Sequence, residues 1–468
     1  MKTIFFSLSF ENVYKNLFFF SGSAFFRLGE ALKGRDDVQI VFLLPASYEE
    51  SFRPFIEEKF GANRKIELIH YPYAKKRSFF QKLFYFFYAH FIFTGTTFML
   101  TTMGMRPGEP PGGGRIYLMP LKFLIANTFG RLKFMRDKII PEIFYRSYSK
   151  GIFEDAFEKY KPDLVFAPHL FGQFDQALVA EANKRKILTL GMISNWDHFD
   201  KYYIPVQTDK LLAQSEQIKD FAMRYQNYRA EQIFLTGYPQ FDFLGNADYA
   251  VSREEVLDKY DFAPGAKYIY YISGSAYCPD EPDVIEKILR WIKEGKLDPG
   301  VKLVIRPYIG GRGADQNFDM KKYNSFRSNP SVVFFEETLD NGQKMADYFN
   351  LMRHADIVIA VYSTALIEAV VFNRPLVITN FDGYKKRPFF RSVRRFGLRE
   401  HFKKIIETGG VRKTENFEEL FEALSGYLKN PNLDEEKREV LRKEACFQTD
   451  NLASKRVVDA IMKYAGLN

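Results

Sequence analysis

Only two cysteines occur in 468 residues, Cys278 and Cys446, far apart and outside any CxxC spacing. A disulfide framework or a zinc cluster needs more than that, and a reducing compartment is the better fit. There is no HExxH, no GxSxG elbow, no Walker loop and no metal-spaced His/Cys/Asp cluster. Their absence removes the zinc-protease, serine-hydrolase and P-loop classes. No nucleic-acid-binding signature is present either. A long charge-free apolar run is also missing. The nearest candidate, FFQKLFYFFYAHFIFTGTTFML from Phe79, is interrupted by Lys82, His90 and a TGTT segment. A spanning helix needs ~20 predominantly apolar residues, so no transmembrane helix is expected.

Aromatic and basic residues are abundant. Phe supplies 49 residues and Tyr 28. The net charge of +9 is uneven, because residues 1–150 hold 22 Lys and Arg against 12 Asp and Glu. Beyond a Pro/Gly link, PGEPPGGGR, come Arg115, Lys122, Arg131, Lys133, Arg136, Lys138, Arg146 and Lys150, against only Asp137 and Glu142. Basic residues interleaved with Phe, Leu, Ile and Tyr at helical spacing fit a surface lying on an anionic membrane. They also fit helices that pack on a sheet and show water their charged face.

The remainder alternates between strand and helix patterns. MKTIFFSLSF has a short apolar stretch, is followed at once by ENVYKN and lacks a small-residue cleavage site, so it reads as a first strand. Gly22 and Ser23 open a helix that closes near Gly34, and VQIVFLLP and IELIHYPY follow as buried strands. KPDLVFAPHL and ILTLGMISNWDHFDKYY continue the pattern, and a polar stretch from Gly245 to Pro264 reads as a crossing between domains. KYIYYISGS, KLVIRPY and SVVFFEE then start a second set. The expected class is α/β, with two doubly wound, Rossmann-like domains. Domain boundaries are expected at 1–245, with a helical insertion at 78–150, then 246–448, then a C-terminal helix at 449–468.

The stretch from His354 to Gly383 organises the second domain. ADIVIAVY is an almost unbroken apolar strand, as a central parallel strand requires. Ser363 and Thr364 stand at the N-cap of the helix ALIEAVVF, whose free N–H groups and dipole would favour an anion. Glu368 lies one turn further in, at the reach of a sugar hydroxyl. An ordinary βαβ unit with a Ser/Thr cap accounts for the same spacing.

This segment resembles the donor-nucleotide motif of GT-B glycosyltransferases, in particular the CDP-glycerol glycerophosphotransferase-like and capsule-polysaccharide-type transferases. TGYPQFD, at 236–242, resembles the TGYPxxD element that ends the amino-terminal domain of that group. DNLASKR, at 450–456, resembles its DGxAxxRI-like tail. The resemblance implies two domains facing across a cleft, with the last helix crossing back to the first domain. It implies donor contacts from Ser363, Thr364 and Glu368, and from Gly274, Ser275 and Arg306 at strand ends. Gly22, Ser23, His169 and Asp175 fall on the acceptor side. NWDHFDKY stands where the relatives carry a Trp-His-Gly turn whose His is the base. Here Asp197 follows Trp196 and His198 comes one later, so the family position indicates Asp197 and intrinsic pKa indicates His198. Tyr308 replaces a His that the relatives carry after Arg-Pro.

The function implied is a GT-B transferase moving a sugar from a nucleotide-activated donor to a cell-envelope glycan or lipid-linked acceptor. No cofactor or catalytic metal is expected, because in this fold helix dipole and basic residues offset the diphosphate charge. The location implied is cytoplasmic, peripheral on the inner membrane face. Two alternatives stand beside it: a CDP-glycerol-type glycerophosphotransferase, and a non-catalytic membrane-peripheral scaffold. A sugar-nucleotide epimerase on the same fold would have no use for the basic aromatic surface at 78–150.

Overall fold

A computed structural model describes residues 1–10, 22–60, 64–72, 78–104, 114–245, 247–309, 319–339 and 342–467. The chain divides into two compact units. The first comprises Met1–Phe93, Pro120–Asn246 and Phe447–Asn468, and the second Thr94–Met119 and Ala247–Cys446.

The first unit is built on seven strands: β1 (Lys2–Ser7), β2 (Val38–Pro45), β3 (Lys65–Ile69), β4 (Leu164–Ala167), β5 (Leu188–Met192), β6 (Lys210–Ala213) and β7 (Ile233–Leu235). Their order is β3-β2-β1-β4-β5-β6-β7, and every neighbouring pair is parallel. This is the doubly wound order, with its switch point between β1 and β4. The central strands are continuous apolar runs because helices cover both faces. Phe6 on β1 meets Phe166 on β4 edge to face, with ring centroids 4.9 Å apart. Val457, Val458 and Ile461 of the last helix, Ala453–Ala465, fill the same core.

That helix is fixed by a side chain from far up the chain. The Asp242 carboxylate accepts the backbone N–H groups of Ala453 at 3.2 Å and Ser454 at 2.6 Å. Arg456 donates to the Thr236 carbonyl at 3.1 Å. The TGYPQFD and DNLASKR segments are thus two halves of one joint. Asp242 satisfies N–H groups at a helix start that would otherwise lack partners.

The second unit repeats the plan with β8 (Tyr268–Ile272), β9 (Lys302–Arg306), β10 (Val332–Phe334), β11 (Ile357–Ala360), β12 (Leu376–Thr379) and β13 (Arg412–Thr414). The order is β10-β9-β8-β11-β12-β13, again with every pair parallel. Tyr271, Ile285, Ile288, Trp291 and Leu424 are in its core.

The aromatic stretch after Ser78 departs from the sequence expectation. It forms two helices, Phe79–Ala89 and Gly95–Thr102, and the second belongs with the second unit and not with the amino-terminal domain. Thr94 caps the second helix, its hydroxyl accepting from Thr97 N at 3.1 Å. From there the chain packs with the second unit: Glu400 N donates to Thr96 Oγ1 at 3.0 Å, and Gly95 N to Glu400 Oε2 at 3.3 Å. A Cβ on Gly95 would lie 2.1 Å from the Leu398 carbonyl oxygen, so the TGTT glycine permits this close approach. Among the described residues no helix is long and apolar enough to cross a membrane.

Candidate functional site

In the second unit the register brings three strand ends level. Ile272 of β8 pairs with Arg306 of β9 on one side and with Ala360 of β11 on the other. The loops that follow, 273–275 and 361–364, therefore emerge side by side at the carboxyl end of the sheet. This is the switch point, where ligands of open α/β sheets bind.

Gly274 and Ser275 are held firmly there. Gly274 N donates to Glu281 Oε1 at 3.0 Å, and the Lys322 ammonium donates to Gly274 O at 2.9 Å and to Glu281 Oε2 at 2.8 Å. Tyr323 OH completes the cluster by donating to Glu281 at 3.1 Å. Burial raises the Glu281 carboxyl above its ordinary range, and Lys322 opposes that shift. Ser275 Oγ donates to Asp319 Oδ2 at 3.0 Å. A Cβ on Gly274 would come within 2.7 Å of Val361. Sequence reasoning missed Glu281, Asp319 and Lys322, because their pairing spans some forty residues of chain and leaves no local pattern.

Arg306, Tyr348 and Glu368 form a chain. The Arg306 guanidinium lies 4.6 Å over the Tyr348 ring, and the Tyr348 hydroxyl donates to Glu368. Burial, reinforced by the Glu368 charge, keeps that phenol protonated well above its usual value. Thr364 occupies the N-cap position expected of it, without a side-chain cap bond. Thr364 has helical backbone angles and neither it nor Ser363 caps with its side chain; the turn closes through Ser363 O and Thr364 O instead. The helix itself, Ala365–Val371, is only seven residues long. Two polar atoms here, Arg306 Nε and Ser363 Oγ, are buried and have no hydrogen-bond partner among the described residues. Native proteins satisfy most such atoms, so these two at the sheet's switch point are atoms that a ligand could pair. Tyr308, two residues past Arg306, is exposed.

A second concavity of about 480 Å³ lies past β12 and β13, and it takes in the basic loop 383–394. Lys385, Lys386, Arg387 and Arg394 face Asp382, Glu415 and Glu418 across it. Arg387 is paired with the buried Asp280 at 2.6 Å, so much of the loop's charge is used internally.

In the first unit, the ends of β1, β4 and β5 gather Ser9, His169, Asp175, Ser194, Asp197 and His198. Asp175 is fully buried and accepts from Ser9 Oγ and from His169 N, the latter at 3.2 Å. Burial pushes its carboxyl up to about 7. His169 Nδ1 lies 2.7 Å from Ser194 Oγ, and its ring stacks on Phe10 at 4.5 Å. Burial, with His198 nearby, drives the His169 imidazole down to about 3. His198 stacks on Phe171 at 4.1 Å and lies 6.1 Å from His169. Asp197 is half-buried and paired with Lys201. Of the two candidate bases Asp197 is the more accessible, with 17% of its side chain exposed against 6% of the residue for His198.

Gly22 precedes the helix Ala24–Ala31. It takes φ +91°, which favours glycine, and its carbonyl accepts from Arg27 Nε at 2.6 Å. Ser23 is buried at the start of the helix Ala24–Ala31, and its hydroxyl makes no cap bond. The residues between Phe10 and Gly22 lie outside the described set.

Residues 321–463 match the family model described as CDP-glycerol:poly(glycerophosphate) glycerophosphotransferase. No curated protein sequence matches the chain. Among solved structures, the UDP-GlcNAc 2-epimerase from Neisseria meningitidis bound to UDP-GlcNAc is similar at 14% identity and TM-score 0.54, covering 99% of this chain and 100% of that one. The UDP-GlcNAc 2-epimerase from Methanocaldococcus jannaschii has 15% identity and TM-score 0.51, with 99% and 100% covered. A glycosyltransferase from Rickettsia africae has 11% identity and TM-score 0.50, with 99% and 98% covered. The chain therefore has the two-Rossmann fold of the GT-B class, and over residues 321–463 it resembles the glycerophosphotransferases.

Proposed function

We propose that this protein is a transferase that takes its donor as a nucleotide diphosphate conjugate and passes a sugar to a cell-envelope glycan or lipid-linked acceptor at a membrane surface. The observation that carries the reading is the group at the ends of β9 and β11. Arg306 Nε and Ser363 Oγ are buried and without a hydrogen-bond partner among the described residues, and the Glu368 carboxylate nearby is held in place by Tyr348. A guanidinium can neutralise diphosphate oxygens, a hydroxyl can donate to one, and a fixed carboxylate can accept from ribose hydroxyls. Asp197, the more accessible of the two candidate bases, is suited to accept the proton of the acceptor hydroxyl.

A second reading, transfer of glycerophosphate from CDP-glycerol, is favoured by the family match over residues 321–463. Tyr308 keeps it second, since a phenol replaces the His that the resemblance leads one to expect. Thermal-shift screening against UDP, CDP, GDP, TDP and their sugar or glycerol conjugates separates the readings. One nucleotide should raise Tm by mass action. The shift should shrink in Arg306→Ala and in Glu368→Gln, a variant that still offers Tyr348 an acceptor. A full shift in both variants would remove this group from the donor site, and no shift with any nucleotide would overturn the transferase reading.

A further inference from the structure

The outer face of the first unit is apolar in a way its anchoring does not require. The helix Phe79–Ala89 starts with a capping box, Ser78 and Gln81 exchanging bonds at 3.0 and 3.2 Å. It is tied inward by Gln81 Nε2 to Ser147 O and by Tyr148 OH to Gln81 O, both at 2.8 Å. Arg136 turns inward as well, 4.8 Å over the Tyr203 ring and donating to Phe91 O at 3.1 Å. The insertion is therefore well fixed by its inner contacts.

Its outer side is largely uncovered among the described residues. Phe79, Phe80, Leu83, Leu121, Phe123, Leu124, Phe129, Leu132 and Phe134 are all exposed, Phe80 by 78% and Leu124 by 56%. Between Phe79–Ala89 and Met119–Asn127 runs a groove of about 980 Å³, floored by Phe84, Phe87 and Ile125. Soluble monomers rarely leave contiguous apolar patches beyond a few hundred Å² uncovered. The rim has one sign of charge. Arg146 lines the groove, Lys82, Arg131, Lys133 and Lys138 are exposed on the same and neighbouring segments, and Lys122 lies 5.9 Å from the Phe86 ring. The only acids among the described residues 78–150 are Asp137, which accepts from Asn227, and Glu142, which is tied to Arg146 and Lys184.

An apolar floor inside a cationic rim complements one environment above others: hydrocarbon beneath anionic headgroups. We propose that the helices Phe79–Ala89 and Met119–Asn127 dock on a bilayer containing anionic lipid, with lipid hydrocarbon entering the groove between them. The proposal rests on the membrane-surface acceptor of the transferase reading and names the lipid class and the residues that meet it. A second copy of the chain is disfavoured, because two such faces would set cationic rims against each other.

Co-sedimentation of the full chain with vesicles tests this without any transfer assay, so its outcome is separate from that of the nucleotide screen. Vesicles of phosphatidylcholine alone are compared with vesicles that also contain phosphatidylglycerol. The chain should pellet with the anionic vesicles and release as salt rises, because screening shortens the reach of the rim charges. Leu124→Glu and Phe80→Glu should weaken binding about tenfold or more, and Lys122→Glu with Lys133→Glu should abolish the preference for anionic lipid. These positions are on the surface, and an unchanged circular dichroism spectrum and Tm would confirm that the variants fold. Equal pelleting of wild type and Leu124→Glu would overturn the proposal. So would failure to bind either vesicle, or a dimer in solution that Leu124→Glu dissociates, which would assign the face to a second copy.

Discussion

The two sheets share one strand order and one direction, yet their carboxyl ends are furnished differently. At the end of the second sheet, full charges meet directly: Lys322 on Glu281, and Arg306 over a tyrosine whose hydroxyl serves Glu368. At the end of the first sheet, Asp197 is paired with Lys201, but burial suppresses charge on its neighbours His169 and Asp175. His169 is held neutral by its surroundings, Asp175 is raised, and Phe10 and Phe171 stack on the imidazoles. A charged end suits a diphosphate, whereas an aromatic, weakly charged end suits a hydroxyl group and the movement of one proton. The same backbone frame thus carries two different sets of side chains just past its strand ends.

The contrast is sharpest in what each end should lose when altered. Asp197→Asn should lower kcat by about 10²–10⁴, the usual contribution of a positioned general base, and leave nucleotide affinity unchanged. Turnover equal to wild type in that variant, with a loss in His198→Asn, would move the role to the histidine. In the second unit the largest effect should be on folding. Lys322→Met strands Glu281 in a buried site, and breaking such a pair costs about 3–5 kcal/mol. Urea denaturation would show the loss, and Glu281→Gln in the same chain should recover much of it. A single variant within about 1 kcal/mol of wild type would show that the cluster is not the clamp on Gly274 described above.

The two-domain plan was legible because parallel strands covered on both faces read as continuous apolar runs, as in VQIVFLLP and ADIVIAVY. The strand ends were legible for the same reason, and Arg306, Gly274 and Ser363 were found by standing just beyond such runs. Two things were not legible. The missing cap bond at Thr364 was one, because a sequence can place a hydroxyl at an N-cap without showing whether it bonds there. The assignment of the whole 78–150 insertion to the first unit failed because its boundary depends on a long-range contact, Gly95 against the backbone at Leu398. The Asp242 joint with the tail helix lies between these cases. Both segments stood out in the sequence, but their contact is tertiary.

The smallest predicted effect concerns pH and sets two neighbours against each other. His169 has its folded value lowered from 6.5 to about 3. Between those limits the unfolded chain binds more protons at this site, so its contribution to stability rises with pH and is lost as pH falls. Asp175 is shifted the opposite way, from 3.8 to about 7. Its contribution is present below its unfolded value and is lost as pH rises through the folded one. Over pH 4–6.5 the two slopes therefore oppose each other in the wild type. Asp175→Asn should leave the histidine slope alone, and stability should climb with pH by up to about 1.4 kcal/mol per unit. His169→Gln should leave the carboxyl slope alone, and stability should fall across the same window. Urea denaturation of both variants at the two ends of the window measures the signs. Slopes of the same sign would mean that these buried groups do not hold the protonation states that set the first sheet's end apart from the second.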